Sequence, residues 1–573
     1  MLNSKTVIAA ATCAALLAAC HSSDVTAPIA LVTPTCGATA LVALSPNQAV
    51  TLACSSGTFL NLAPGAKYLI VPQFATGGVR SGVADTPVPY QIGVVGTATS
   101  SLANSATLAV TRPLSRQQQF DALLRDRSRR ALATATWKMI GAQQATRADV
   151  APAAAAVPDV GSLRNFHVLQ GATLQSETFE IATGRLAFVG AHILLYVDTL
   201  APANGFTAAQ LQAFGQYFDQ VLYPLDITTF GPPSDLDANA RVIMFVSPSV
   251  NALTTSAQCQ AEGFVAGYFD GIDFTTSANS NQGEIFYSAI PDPNGTVSCA
   301  HTVGDLANTI PATFLHELQH LINFSQHVAV HGGQQEEGWL DEGMSIRAEE
   351  LGSEYFEAKY PPPSGRTSPA QLFPDSAQGF VSGFLFDSYF YLLRPDTASV
   401  TLHQDSENGF SWRGGDWLLL HWLGDLKGKP IYAALEQTGL TGIANVTAAA
   451  GEPFGSLLGD FSLALWTDSI PGQPRSAIPP RDRFQTRNLR QLYQRLFDNN
   501  PSNANFPRAY PLVPATLTTT APISASMVPG TPAFYVLDLT GANANVAIRF
   551  SAPGGAALAA TLNPQVSVYR LPN

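Results

Sequence analysis

Two histidines four residues apart, His316 and His320 in TFLHELQHLINF, and the acidic Glu317 between them are the chemistry-bearing stretch of this 573-residue chain. On an α-helix, residues four apart share one face a turn apart, so both imidazoles can reach one cation at about 2.0 to 2.1 Å. Glu317, rotated by roughly 100°, comes beside that ion without binding it, which suits a base for metal-bound water. Phe314, Leu315, Leu318, Leu321, Ile322 and Phe324 recur near the helical period over 313–326, predicting a helix for which Pro311 is tolerable in a first turn.

A catalytic zinc takes three protein ligands and leaves one position open, so a third ligand must follow. A compact site would need glycine at position 323 and histidine at 326; the chain has Asn323 and Gln326, with His327 out of register. Further on, EEGWLDEGMSIRAEE begins at Glu336, and Glu342 follows His320 after twenty-one intervening residues, room for a loop and a return helix. Trp339 and Leu340 can anchor that helix, while Gly343 keeps the backbone beside the site uncrowded.

HELQHLINF together with WLDEGMS resembles the gluzincin metallopeptidases, most of all the hyicolysin family of bacterial secreted zinc peptidases. Agreement extends through YVD and WLLLHWLGD, over roughly residues 160–498. The resemblance implies a zincin-like core of mixed sheet plus active-site helices, and one Zn2+ held by His316, His320 and Glu342. It also implies Glu317 as general base and a protein or peptide as substrate. Where some gluzincins place an aspartate to orient a ligand histidine, this chain has Ile346, which leaves Glu349 or Asn323 for that task. Tyr389, Tyr391, His403 and His421 stand at plausible distances to stabilise an oxyanion, and the sequence singles out none of them.

The elements that must position these residues read as an α+β fold. Short runs such as LVALS, AVTLAC, KYLIVPQF and YQIGVVG predict an N-terminal β domain over 36–112, sandwich-like. A helix with the basic stretch RDRSRR on its solvated side and an Ala/Pro linker fill 113–160. The metallopeptidase domain, 161–498, opens with strands in RLAFVGAHILLYVDTL and ARVIMFVSP and a helix capped by Thr207. GFVAGYFDG and GEIFYSAI add further strands before helices take over. Strands return in FYVLDLT, NVAIRFS and QVSVYRL as a second small β domain, 510–573.

Composition bounds the partners and the compartment. A formal charge of −12 without a basic cluster excludes the phosphate-neutralising surface that a nucleic-acid partner requires. Lys5, the apolar run 7–19 and LAAC ending in Cys20 resemble a bacterial lipoprotein signal: 1–19 as signal peptide, Cys20 lipidated, 20–35 as a Ser/Thr/Pro-rich tether. His21, where an inner-membrane retention aspartate is absent, favours an outer-membrane anchor, the acyl chains being the membrane attachment. The remaining Cys36, Cys54, Cys259 and Cys299 form an even set for an oxidising compartment, paired as Cys36 with Cys54 and Cys259 with Cys299.

No G-x-S-x-G elbow offers a serine nucleophile. The rival from another class is a surface binding or adhesion lipoprotein with a structural or inactive zinc site, and Glu317 speaks against it, since a structural site needs no general base.

Overall fold

The computed structural model describes residues 36, 41–54, 59–76, 86–95, 115–140, 157–173, 176–360, 378–401, 409–499 and 506–572. In chain order these form β1 (Leu41–Val42), β2 (Ala49–Ala53), β3 (Phe59–Leu62), β4 (Lys67–Phe74), β5 (Val88–Val94), α1 (Arg116–Ala133), β6 (Leu163–Ala172), β7 (Glu177–Val189) and β8 (Ile193–Asp198). There follow α2 (Ala208–Tyr217), α3 (Tyr223–Phe230), β9 (Val242–Val246), α4 (Pro248–Ala252), α5 (Ser256–Glu262), β10 (Gly267–Phe269) and β11 (Ile285–Ser288). Helices then dominate: α6 (Val303–Phe324), α7 (Gly338–Lys359), α8 (Gln378–Leu393), α9 (Gly409–Lys427), α10 (Pro430–Glu436), α11 (Gly442–Ala450), α12 (Phe454–Thr467) and α13 (Leu489–Asn499). The chain closes with β12 (Ala515–Leu517), β13 (Ile523–Met527), β14 (Tyr535–Asp538), β15 (Val546–Ser551) and β16 (Pro564–Arg570). The α+β class expected from the sequence is what the chain adopts.

The central sheet has the order β10-β11-β9-β8-β7-β6, with β8, β9 and β11 parallel and the remaining pairs antiparallel. β9, VIMFV, is buried along its whole length, as a strand covered on both faces must be. On one of these faces lies α6, whose Phe314 meets Phe286 of β11 at 5.4 Å and Phe218 at 4.5 Å between ring centroids. α6 starts earlier than the apolar period indicates, because Thr302 and Asp305 form a capping box in which each side chain accepts the other's backbone N–H. Pro311 therefore sits inside the helix and not in its first turn.

The β segments expected as separate domains at the two ends share their sheets. One sheet runs β1-β3-β15-β5-β13 and the other β12-β14-β4-β16-β2, so each mixes strands from before and after the helical body. Neither end has enough strands to cover its own apolar face, and the pairing of β4 with β14 and β16 resolves this. Tyr90 and Tyr535 join the two sheets by a 2.6 Å hydroxyl–hydroxyl hydrogen bond. Cys36 pairs with Cys54 and Cys259 with Cys299, at Cα separations of 5.0 and 6.0 Å.

Behind α6, helices α7, α8 and α9 stack with close backbone approach at two glycines. A Cβ on Gly343 would lie 3.2 Å from Asp416 Cβ, and one on Gly414 would lie 2.2 Å from the backbone of Asp387. These contacts bring α9 against the helix that carries Glu342.

Candidate metal centre

α6 turns His316 and His320 to one side, 4 and 1% exposed, and α7, after a chain reversal through Ser325–Val330, returns Glu342 to face them. The two Nε2 atoms are 3.1 Å apart. Glu342 places Oε2 3.6 Å from His316 Nε2 and Oε1 3.6 Å from His320 Nε2. The structure thus brings together all three ligands expected from the sequence. Trp339 and Leu340, both 1% exposed, anchor the first turn of α7 as anticipated.

The opposite ring nitrogens are held by carboxylates. His316 Nδ1 lies 2.8 Å from Glu349 Oε1, and His320 Nδ1 lies 2.7 Å from Asp341 Oδ1. Carboxylates only accept, so each Nδ1 donates its proton outward, and the two Nε2 atoms face the gap between the rings. Burial raises the Glu342 carboxyl, but Arg413, His316 and His320 outweigh it and hold it well below the usual carboxylate range. Arg413 donates from its terminal nitrogen to Glu342 Oε2. For Asp341, burial is outweighed by His320, and the carboxyl stays below its ordinary value.

Two imidazole nitrogens and a carboxylate converging in one buried space could hold a cation. Glu342 Oε1 is buried with no hydrogen-bond partner, as expected of an oxygen reserved for a metal. The donor set of two imidazoles and one carboxylate suits zinc.

Glu317, fully buried, points to the same space without being within the ligand triangle. Its Oε2 accepts the Phe269 N–H at 3.0 Å and Arg125 at 3.3 Å, while Oε1 has no hydrogen-bond partner. Arg125 belongs to RDRSRR, read from sequence as a solvated helix side. The structure corrects this: Arg125 is 2% exposed, because its place on α1 turns it over β10, where it also donates to the Phe269 carbonyl at 2.9 Å. Asp121, one turn earlier and 1% exposed, comes with a carboxylate oxygen within 4.8 Å of His316 and Glu317. Burial foremost, and then the Glu317 charge, push the Asp121 carboxyl well above its ordinary range.

Of the two residues offered as histidine partners, Glu349 holds His316, whereas Asn323 donates at 3.0 Å to Glu436. Asp341, Arg413, Asp121 and Arg125 were missed. Asp341 stands beside Glu342 in WLDEG, and a doubled acid on an apolar helix was the available signal; the others come from distant elements that no spacing rule connects. Tyr389 donates to the Arg508 carbonyl at 2.8 Å and His421 faces Glu350 at 2.9 Å, so neither turns to the metal cluster. Tyr391 is buried with its hydroxyl unpartnered. His403 and Cys20 lie outside the described residues.

No family model matches the chain. Over 151 residues it is 28% identical to the neutral metalloprotease ShpI of Staphylococcus hyicus, a match that covers 26% of this chain and 32% of the relative. The chain thus spans about a third of the length of that relative. The similarity relates this chain to a metallopeptidase.

Proposed function

We propose that the chain is a zinc-dependent endopeptidase of the gluzincin type, acting on protein or peptide substrates through the site on α6 and α7. The observation that carries this reading is the convergence of His316 Nε2, His320 Nε2 and Glu342 on one buried gap, with Glu317 beside it. A zinc ion held there supplies a Lewis acid that polarises the scissile carbonyl and acidifies water. Glu317 is the general base: Oε2 is pinned by the Phe269 N–H, leaving Oε1 to take the proton from water and pass it to the leaving amine. Asp341 and Glu349 fix the tautomer and orientation of the two histidines, and Arg413 keeps Glu342 ionised.

The two disulfides support an exported chain, and with them the Cys20 lipid anchor at the outer membrane remains part of this proposal. Among the described residues no helix is long and apolar enough to cross a membrane.

A second reading is a binding protein with a structural zinc site, which would be closed by four protein ligands. Cleavage of a mixed peptide library by the zinc-loaded chain, abolished by chelator and lowered at least about a hundredfold in Glu317→Gln with metal content intact, tests the peptidase reading. Undiminished cleavage by Glu317→Gln removes the assigned base, and cleavage by neither protein favours the structural site.

A further inference from the structure

We propose that the chain carries a second cation site, separate from the histidine pair and suited to calcium, built from Asp235, Asp237 and Asn239 of one loop and Glu284 of another. The loop reads DLDANAR over 235–241, with oxygen-bearing side chains at its first, third and fifth positions. A calcium loop presents successive oxygens to one ion by this alternation, and its seventh residue, here Arg241, adds a main-chain carbonyl. Such loops turn sharply at the sixth position, where glycine is usual because the turn needs a positive φ. Ala240 occupies that position with φ 57°, and its N–H donates to Asp235 Oδ1 at 3.0 Å. At the fifth position Asn239 already reaches Asp237, donating from Nδ2 to Oδ2 at 2.7 Å.

The fold brings the remaining carboxylate to this loop. The loop leads into β9 and Glu284 immediately precedes β11, and the two strands pair in parallel with Ile243 opposite Ile285. Both segments therefore arrive side by side: a Cβ on Gly283 would lie 3.2 Å from Asp237 Oδ2, and carboxylate oxygens of Asp235, Asp237 and Glu284 lie within 4.8 Å of one another. Glu284 is 2% exposed. Its Oε1 accepts from Ser234 Oγ at 2.7 Å and from the Leu236 N–H at 2.9 Å, which orients the group, whereas Oε2 is buried with no hydrogen-bond partner. A carboxylate oxygen cut off from water and from donors is costly, and two further carboxylates beside it add like-charge repulsion. A divalent cation offsets both. The donors are all hard oxygens, with neither imidazole nor thiolate among them, which suits calcium rather than zinc. Asp235 is exposed and opens the site to solvent, and an ion held there fastens the beginnings of two central strands to each other.

The test uses the full chain loaded with one equivalent of zinc, in wild type, Asp237→Asn and Glu284→Gln, with calcium chloride as the probe. Equilibrium dialysis against radioactive calcium should find one equivalent bound to wild type with a dissociation constant of about 10⁻³ M or tighter, as in extracellular calcium modules. Each variant should bind at least about tenfold more weakly, because ligand charge sets the affinity of such sites. Calcium should also raise the thermal unfolding midpoint of wild type more than that of either variant. Asp237 is partly exposed and asparagine matches its shape, so Asp237→Asn carries the test where the change at buried Glu284 disturbs folding. No calcium uptake by wild type up to about 10⁻² M, or equal uptake by wild type and Asp237→Asn, overturns the proposal. None of these measurements uses peptide cleavage, so a chain that binds calcium as expected and cleaves nothing counts against the peptidase reading alone.

Discussion

His316 Nε2 and His320 Nε2 face each other at 3.1 Å while both Nδ1 atoms are engaged by carboxylates. A cation between them would take one lone pair from each ring and form two bonds. Metal should therefore stabilise the fold: zinc at about a hundred times its dissociation constant adds about 2.7 kcal/mol to the unfolding free energy. Thermal unfolding of the chelated protein titrated with zinc should saturate at one equivalent, and His316→Ala should abolish the rise. An unchanged midpoint in the wild type would show that the pair is satisfied without metal.

Asp341 and Glu349 differ in how firmly they hold their histidines. The Asp341 side chain is 3% exposed and that of Glu349 is 19% exposed, so water replaces Glu349 more readily. Asp341→Asn should weaken zinc affinity by about 10- to 100-fold, and Glu349→Gln by less, measured by chelator competition. Glu342→Ala should release the metal at the lowest chelator concentration of the three. Retention equal to wild type would move the third ligand elsewhere, although Glu336 is already taken by the Gly442 N–H at 2.6 Å and Asn445 at 2.8 Å.

The legible part of the site was the local part. His316, Glu317 and His320 lie on one helix, where the 3.6-residue period fixes their mutual placement, and Glu342 sits on the next helix behind apolar anchors. Glu349 was legible by the same period, two turns past Glu342 on α7. What α1 does to the site was not legible: Asp121 and Arg125 precede Glu317 by almost two hundred residues, and a helix rich in Arg and Gln reads as solvated until its partner surface is known. That the two β ends share their sheets was not legible for a related reason. Alternation identifies strands but carries no information on which distant strand completes a sheet, and here β16 lies between β2 and β4.

Gly414 lies where α9 crosses α8. A Cβ there would meet Asp387 backbone atoms at 2.2 and 2.3 Å, and backbone cannot rotate aside as a side chain can. Gly414→Ala should destabilise the chain by roughly 1–3 kcal/mol or more and, because Arg413 is its neighbour, also lower zinc affinity. Urea unfolding read beside chelator competition separates the two effects. A fully stable Gly414→Ala would mean that α8 and α9 slide apart without cost.

His421 gives a pH dependence away from the metal. Burial lowers its pKa, but Glu350 at 2.9 Å and Asp425 at 3.4 Å outweigh burial and raise it to about 9. A folded-state pKa above the unfolded value of about 6.5 means that the imidazolium contributes stability in full below that pH, and that this is lost as pH rises through about 9. The contribution is on the order of 3 kcal/mol, from about 1.36 kcal/mol per pH unit. Other buried acids titrate in the same window, so the informative quantity is the difference between wild type and His421→Gln. In that variant Glu350 keeps Trp417 at 2.8 Å and Arg347 at 3.2 Å, which limits collateral damage. The stability advantage of wild type over His421→Gln, from urea unfolding, should shrink steadily between about pH 6 and about pH 10. An advantage that stays constant across that range would mean that His421 is neutral in the folded protein.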